Sequence, residues 1–304
     1  MTTSSKGLLT ANLVCMLSML IWSTGLPANE ILLPLLPPLS LSAARFVLAA
    51  AALLPFWVLM EGFGVLRGAG WLKGIAVGGM IGLGGLFVIL GQSLTDPVTV
   101  AVISATMPVV GIALEVVLDG RRLTLALVLG LGLAVIGGIV ALGGGVGGLS
   151  LGLGALICFA SVLTFTLGSR LTVTAFPALT PLGRTTVTLT GAAIATLIIA
   201  PLHAFTFGPV PDFSLLGPKE FAALAVFAVG SLALSQVLWI LSVGKLGIGL
   251  AALHINATPF YVMLILFAFG AAWNWQQAFG AAIVGLGVLV AQGIIPLQRQ
   301  AVSS

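Results

Sequence analysis

The chain has 304 residues, 60 % of them hydrophobic and only 6 % Asp, Glu, Lys or Arg, where an average soluble domain carries roughly 25 % charged residues. A soluble fold of this length would lack the polar groups to cover its surface, so the composition excludes one and makes lipid the main solvent. The net charge of +4 comes from eleven Lys and Arg scattered without a basic patch, which excludes nucleic acid as a partner and turns the cations into markers of membrane topology.

In chain order, ten apolar runs follow one another, each long enough to cross a hydrocarbon layer of about 30 Å and separated by short segments with charge, Pro or Gly. The first spans Leu8 to Leu26, the second Leu39 to Met60, the third begins after Lys73 and ends near Ser93, and the fourth spans Val98 to Leu118. The fifth covers Leu123 to Leu142 and stops at the glycine-rich GGGVGG; the sixth covers Leu149 to Ser169 and the seventh Leu179 to Ala200. The eighth runs from Phe221 to Ser242, the ninth from Ile248 to Phe269 and the tenth from Gln277 to Ile295. The longest linker, Pro201 to Pro218, is only a loop. Lys6 followed by the first run and by Pro27-Ala28 has the outline of a signal peptide. Removing it would delete one span and break the repeat described below, so it reads as the first span. Cys15 and Cys158 sit inside apolar runs with neither metal spacing nor a disulfide framework, and read as buried small thiols.

With the amino terminus in the cytoplasm, nine basic residues fall inside: Lys6, Arg67, Lys73, Arg121, Arg122, Arg170, Arg184, Lys245 and Arg299. Only Arg45 and Lys219 fall outside. Positive charges near span ends resist translocation, so both termini are expected in the cytoplasm. Losing any one span would invert every basic residue beyond it, which favours the even count.

A shift of 139 residues brings Pro38 and Arg45 (PLSLSAARF) onto Pro177 and Arg184 (PALTPLGRT). At slightly larger shifts Lys73 meets Lys219, and Pro108 of ISATMPVV meets Pro259 of HINATPFY. Two repeats are expected, residues 1–145 and 146–304, with five spans in each. An odd number of spans makes the second copy enter the membrane from the opposite side. The expected fold is therefore all-α, ten transmembrane helices as two inverted five-helix repeats around a central cavity.

Trp22 late in the first span, Arg45-Phe46 followed by Ala49 and Ala50 in the second, Ser-x-x-x-Pro in the fourth and Arg121-Arg122-Leu123-Thr124 before a glycine-rich fifth span complete a pattern. It resembles the drug/metabolite transporter superfamily in its EamA-type branch, over essentially the whole chain. The chain departs from it at Arg121, where relatives often carry Glu. Within that superfamily it looks most like the bacterial aromatic amino-acid exporters of the YddG type. The resemblance implies a multi-pass protein of the bacterial inner membrane that exports amino acids without cofactor, metal or ATP hydrolysis of its own.

Polar groups within spans mark candidate sites, because each is costly in lipid. In the ninth span His254, Thr258 and Tyr261 recur at i, i+4 and i+7, on one face of an α-helix. Pro259 beside them lacks an amide hydrogen and leaves the carbonyl of Ile255 to another donor such as Asn256 or a substrate. Packing against a neighbouring backbone is the alternative role for His254. Pro108 frees the carbonyl of Ser104 in the same way, and the two prolines form a candidate hinge or binding region at the repeat interface. Gln236 and Trp239, with Asn12, Cys15, Met19 and Trp22 on the first span, join Phe87, Phe165 and Tyr261 as walls and amide hooks of a cavity suited to an amino acid with an apolar side chain. Glu30 and Arg45 form a candidate gate. Glu115, near Asp119 and Arg121-Arg122, reads as structural or as a proton carrier. Gly130-Ala134-Gly138 and Gly74-Gly78-Gly82 read as ridges for close helix contact.

No HExxH, paired acids or Gly-x-Ser-x-Gly supply an enzyme's machinery, so no catalytic residue is expected, and no filter motif or charged ring supplies a channel's. Export of small metabolites by alternating access is the expected function. The alternatives are a proton-coupled drug or metabolite efflux carrier and a channel. Coupling is open between facilitated movement down a gradient and proton exchange through His254.

Overall fold

The structure, a computed structural model, describes residues 5–94, 103–104, 106–141, 152–206, 208–268, 270, 273 and 275–295. Within them the chain is helical, and a mean hydropathy of +1.26 explains why: backbone polar groups facing lipid must be satisfied inside their own segment. The first half carries α1 (Ser5–Ser23), α2 (Gly25–Leu32), α3 (Pro38–Glu61), α4 (Val65–Gly68), α5 (Trp71–Ser93), α6 (Met107–Asp119) and α7 (Leu125–Ala141). The second carries α8 (Leu153–Thr174), α9 (Pro181–Thr206), α10 (Pro218–Ala225), α11 (Ser235–Leu246), α12 (Ile248–Ala252), α13 (Thr258–Ala268) and α14 (Trp275–Ala291). A π-helical segment, Val226–Leu234, joins α10 to α11, and a 3₁₀ segment, Leu253–Ala257, joins α12 to α13.

Among the described residues, six helical stretches are long and apolar enough to cross a membrane: Gly7–Asn29, Pro38–Glu61, Trp71–Gly91, Leu153–Thr174, Pro181–Thr206 and Pro218–Leu246. Leu125–Gly137, Ile248–Ala257 and Ala278–Ala291 are shorter apolar helices. The chain is a multi-pass membrane protein, and its outward side chains, among them Leu59, Leu72 and Phe205, are apolar and exposed as lipid contact requires. Part of the fourth expected run, 98–102 and 105, lies outside the described residues, as do 142–151 between α7 and α8.

Two helix pairs cross where glycine removes the side chain. Between α5 and α9, a Cβ on Gly78 would stand 2.1 Å from the Thr188 carbonyl oxygen, and one on Gly191 would stand 2.2 Å from that of Gly74. Between α7 and α14, Gly130 faces Ala291 and the Gly287 carbonyl, while Gly137 faces Gly280 and Val284. The contact row on α7 runs through Gly130, Ala134 and Gly137, at i, i+4 and i+7, and Gly138 lies outside the described side chains. Backbones this close gain dispersion contacts that lipid tails do not offer. On its other face α5 packs against α8, and α9 packs against α3, so the four helices α3, α5, α8 and α9 form one block. The pair α1 and α11 packs against it across a cluster that includes Met19, Met107, Val162 and Trp239.

Candidate functional site

A cavity of about 170 Å³ lies where α1, α3, α5, α8, α11 and the two irregular segments meet. Its wall on α1 is Ser18, Met19 and Trp22, at the spacing of one helix face, and on α8 it is Ser161, Val162 and Phe165. Gln236 and Trp239 enter from α11, Arg45 and Phe46 from α3, and Ser104, Met107 and Ile255 close it. Gly84 and Gly85 let the backbone of α5 form the remaining wall. A Cβ on Gly85 would lie 2.9 Å from the Phe46 ring, and one on Gly84 would lie 3.1 Å from the Cβ of Phe165. A second recess, of about 490 Å³, sits between Gly68 to Lys73, where α4 gives way to the first turn of α5, and Ala175 to Leu179 after α8.

Hydrogen bonding sorts the polar groups of the cavity. Ser18 Oγ donates to the Ser235 carbonyl (2.8 Å), Ser161 Oγ to that of Gly84 (2.7 Å) and Ser235 Oγ to that of Ser231 (2.6 Å). Trp239 Nε1 donates to Ser169 Oγ at 3.2 Å, which fixes the indole as a wall. Gln236 differs: it is buried, and its Nε2 has no partner among the described residues. Arg45 is the single charged side chain of the cavity among the described residues.

Of the residues that the sequence nominated, Met19, Trp22, Phe165, Gln236, Trp239 and Arg45 line the cavity. Phe87, His254, Asn256, Thr258 and Tyr261 do not. The expectation of one α-helical face on the ninth span is corrected by the 3₁₀ segment: at three residues per turn the chain advances about 120° per residue, and the face turns. His254 points to the backbone, with Nδ1 3.2 Å from the Ala251 carbonyl oxygen, and Asn256 Nδ2 donates to the Ala134 carbonyl on α7 at 3.1 Å. Tyr261 packs in the cluster with Met19, and Thr258 Oγ1 is buried without a described partner. Pro259 also explains the tightening, because the Ile255 carbonyl, deprived of the proline's N–H, accepts the N–H of Thr258 one residue earlier. Pro108 stays out of the wall and the Pro259 side chain lies outside the described residues, yet the residues whose carbonyls the two prolines release, Ser104 and Ile255, are both in it. The Glu30 side chain of the expected gate lies outside the described residues; Arg45 faces the cavity instead.

Ser18, Phe46, Gly84 and Gly85 were missed as wall residues. The adjacent pair Gly84-Gly85, late in α5 and outside the Gly74-Gly78-Gly82 ridge, is the signal in the sequence that points to them. Away from the cavity, Asn12 and Gln292 exchange two amide hydrogen bonds, Asn12 Nδ2 to Gln292 Oε1 at 2.7 Å and Gln292 Nε2 to Asn12 Oδ1 at 2.6 Å. Cys15 Sγ donates to the Ala251 carbonyl at 3.6 Å. Buried Glu115 accepts from Arg121 and from the N–H of Gly249 (3.0 Å).

The chain resembles known proteins in three ways. It is 29 % identical over 269 residues to the "Uncharacterized transporter YyaM" of Bacillus subtilis (strain 168), covering 86 % of this chain and 87 % of that one. A solved crystal structure of another protein superposes with a TM-score of 0.76 at 23 % identity, over 96 % of this chain and 99 % of that one, and so shares its fold. Residues 9–143 match the EamA-like transporter family, and with the relative this supports a multi-pass membrane transporter of small molecules.

Proposed function

We propose that this chain exports amino acids with aromatic or other apolar side chains across a bacterial inner membrane by alternating access. The proposed frame is ten spans in two inverted repeats, 1–145 and 146–304, with both termini in the cytoplasm, supported by the charge tally and the 139-residue shift. The observation that carries the reading is the cavity itself. Trp22, Phe46, Phe165 and Trp239 give it aromatic walls, and Gln236 and Arg45 give it polar hooks. At about 170 Å³ it falls below the roughly 300 Å³ at which drug-sized sites begin, which favours a small metabolite over a bulky drug. His254 is buried against a backbone carbonyl outside the wall, and among the described residues the wall holds no carboxylate. Both features favour facilitated movement over proton exchange.

Counterflow in proteoliposomes containing only this protein tests the proposal with a panel of labelled amino acids. Saturable exchange of phenylalanine, tryptophan or leucine, weakened at least about tenfold in Trp239→Ala, is the expected result for a wall residue that contacts cargo. Single-channel currents, or flux equal to that of empty liposomes for every amino acid, would sink it.

A further inference from the structure

Arg45 sits within a span and faces the cavity, and among the described residues no carboxylate pairs with it. Its guanidinium is held from one side only. Nε donates to the Phe227 carbonyl at 3.1 Å, Nη2 donates to Ser231 Oγ at 3.2 Å, and the guanidinium carbon stands 4.1 Å above the centre of the Phe227 ring. Both partners belong to the π-helical segment, a local distortion that recurs at functional sites. A guanidinium has five N–H donors in a fixed fork, and the described bonds use two of them. Ser18, Ser161 and Ser235 point their protons at backbone carbonyls, whereas the free N–H groups of Arg45 and the unpartnered Nε2 of Gln236 stay open to a ligand. Gln236 is 95 % buried, being 5 % exposed, and an amide N–H left unmatched there is costly unless cargo accepts from it.

We infer that Arg45 and Gln236 form a carboxylate subsite, so that the cavity takes cargo carrying a carboxylate and rejects amines that lack one. This deepens the export reading and rests on it. Among the described residues the wall holds one cation and no carboxylate, and in a low-dielectric pocket that sets a positive potential, which attracts an anion and repels a lone ammonium. A planar fork matches a carboxylate in two parallel bonds, and Gln236 supplies a further donor. The carboxylate then neutralises the arginine, while Trp22, Phe165 and Trp239 face the apolar remainder of the cargo.

The test is competition against labelled L-phenylalanine in counterflow, with 3-phenylpropionate (no amine) and phenethylamine (no carboxylate) as competitors, beside binding of both to the detergent-solubilised full chain by tryptophan fluorescence. Phenylpropionate is expected to compete, phenethylamine to do so at least about tenfold more weakly, and Arg45→Gln to raise the half-saturation concentration at least about tenfold, as for loss of a buried charge partner. Arg45→Lys, which keeps the charge and loses the fork, is expected to fall between. Equal competition by phenethylamine in the wild type, which needs no variant to fold, overturns the subsite, as does wild-type half-saturation in Arg45→Gln. If phenylalanine is not carried but phenylpropionate still binds in preference to phenethylamine, the export reading fails and the subsite stands.

Discussion

The two ends of the helix pair α1 and α11 are held by opposite kinds of force. The pair is antiparallel, with Ser242 Oγ reaching the Ala11 carbonyl (3.4 Å) near one end and Ser18 Oγ reaching that of Ser235 nearer the other. Beyond Ser242 lies a polar latch. Glu115 at the end of α6 accepts from Arg121 and from Gly249 in the first turn of α12, so a carboxylate from one helix caps the amino terminus of another. Gly247 and Gly249 make room for it: a Cβ on Gly247, whose φ is +81°, would stand 2.3 Å from Glu115 Oε1. Asp119 binds Arg170 of α8 alongside. At the other end, Leu32 and Leu36 pack on Leu216, Leu224 and Phe227 with no ion pair among the described residues. Directional bonds hold one end in a single register and break when one group is lost. The apolar end weakens by degrees as contact area is lost.

The largest expected effect is at the latch. Glu115→Ala removes the cap of α12 and leaves Arg121 without its acid, a loss of about 4 kcal/mol for a broken buried pair. The native thiols report where the loss falls. Cys15 lies against Ala251 of α12, whereas Cys158 lies beside Gly91, about 18 Å or three turns along α8 from Arg170. N-ethylmaleimide should therefore modify Cys15 at least about tenfold faster in Glu115→Ala while the Cys158 rate changes little, since local opening need not spread. Equal acceleration at both thiols would erase the distinction between the two ends. Leu32→Ala comes next, at about 3 kcal/mol for a fully buried leucine. It should lower the melting temperature without speeding Cys15, and its cost should not change with salt.

Much of this was legible beforehand. Lipid-facing runs, the glycine ridges and the pairing of Glu115 with the Arg121 region follow from composition and spacing, because each depends on neighbours in sequence. What escaped depends on a change of helical pitch. His254, Thr258 and Tyr261 share a face only at 100° per residue, and the 3₁₀ turn from Leu253 to Ala257 redirects them and brings Ile255 to the cavity. The π segment does the same service for Arg45, since its Phe227 carbonyl and Ser231 hold the guanidinium in the cavity wall. Gly249 escaped for another reason: an N–H donor carries no residue-type signature, so a carboxylate capping a helix 134 positions away leaves no mark in the sequence.

The smallest effect is expected at the second bond of the latch. Asp119, just past the fourth apolar run, has a side chain 44 % exposed, and Arg170 is 15 % exposed. Such a pair stabilises by under about 1 kcal/mol, so Asp119→Asn should shift the melting temperature only slightly. Its signature is the pattern of dependence. The Arg170 hydrogen bonds hold the Asp119 carboxyl below its ordinary value of 3.8, so the folded state binds this proton less readily than the unfolded state. The stabilisation is present in full above the ordinary carboxylate range and is lost as the pH falls through the lowered value. The gap between wild type and Asp119→Asn should thus stay constant from about pH 8 to about pH 5 and close only in stronger acid. Raising salt from about 0.05 M to about 0.5 M should narrow it at neutral pH, because exposed charges are screened over a few ångströms at that strength. A gap that ignores salt would mean that Asp119 acts as a buried group, and the latch would then hold by one kind of bond throughout.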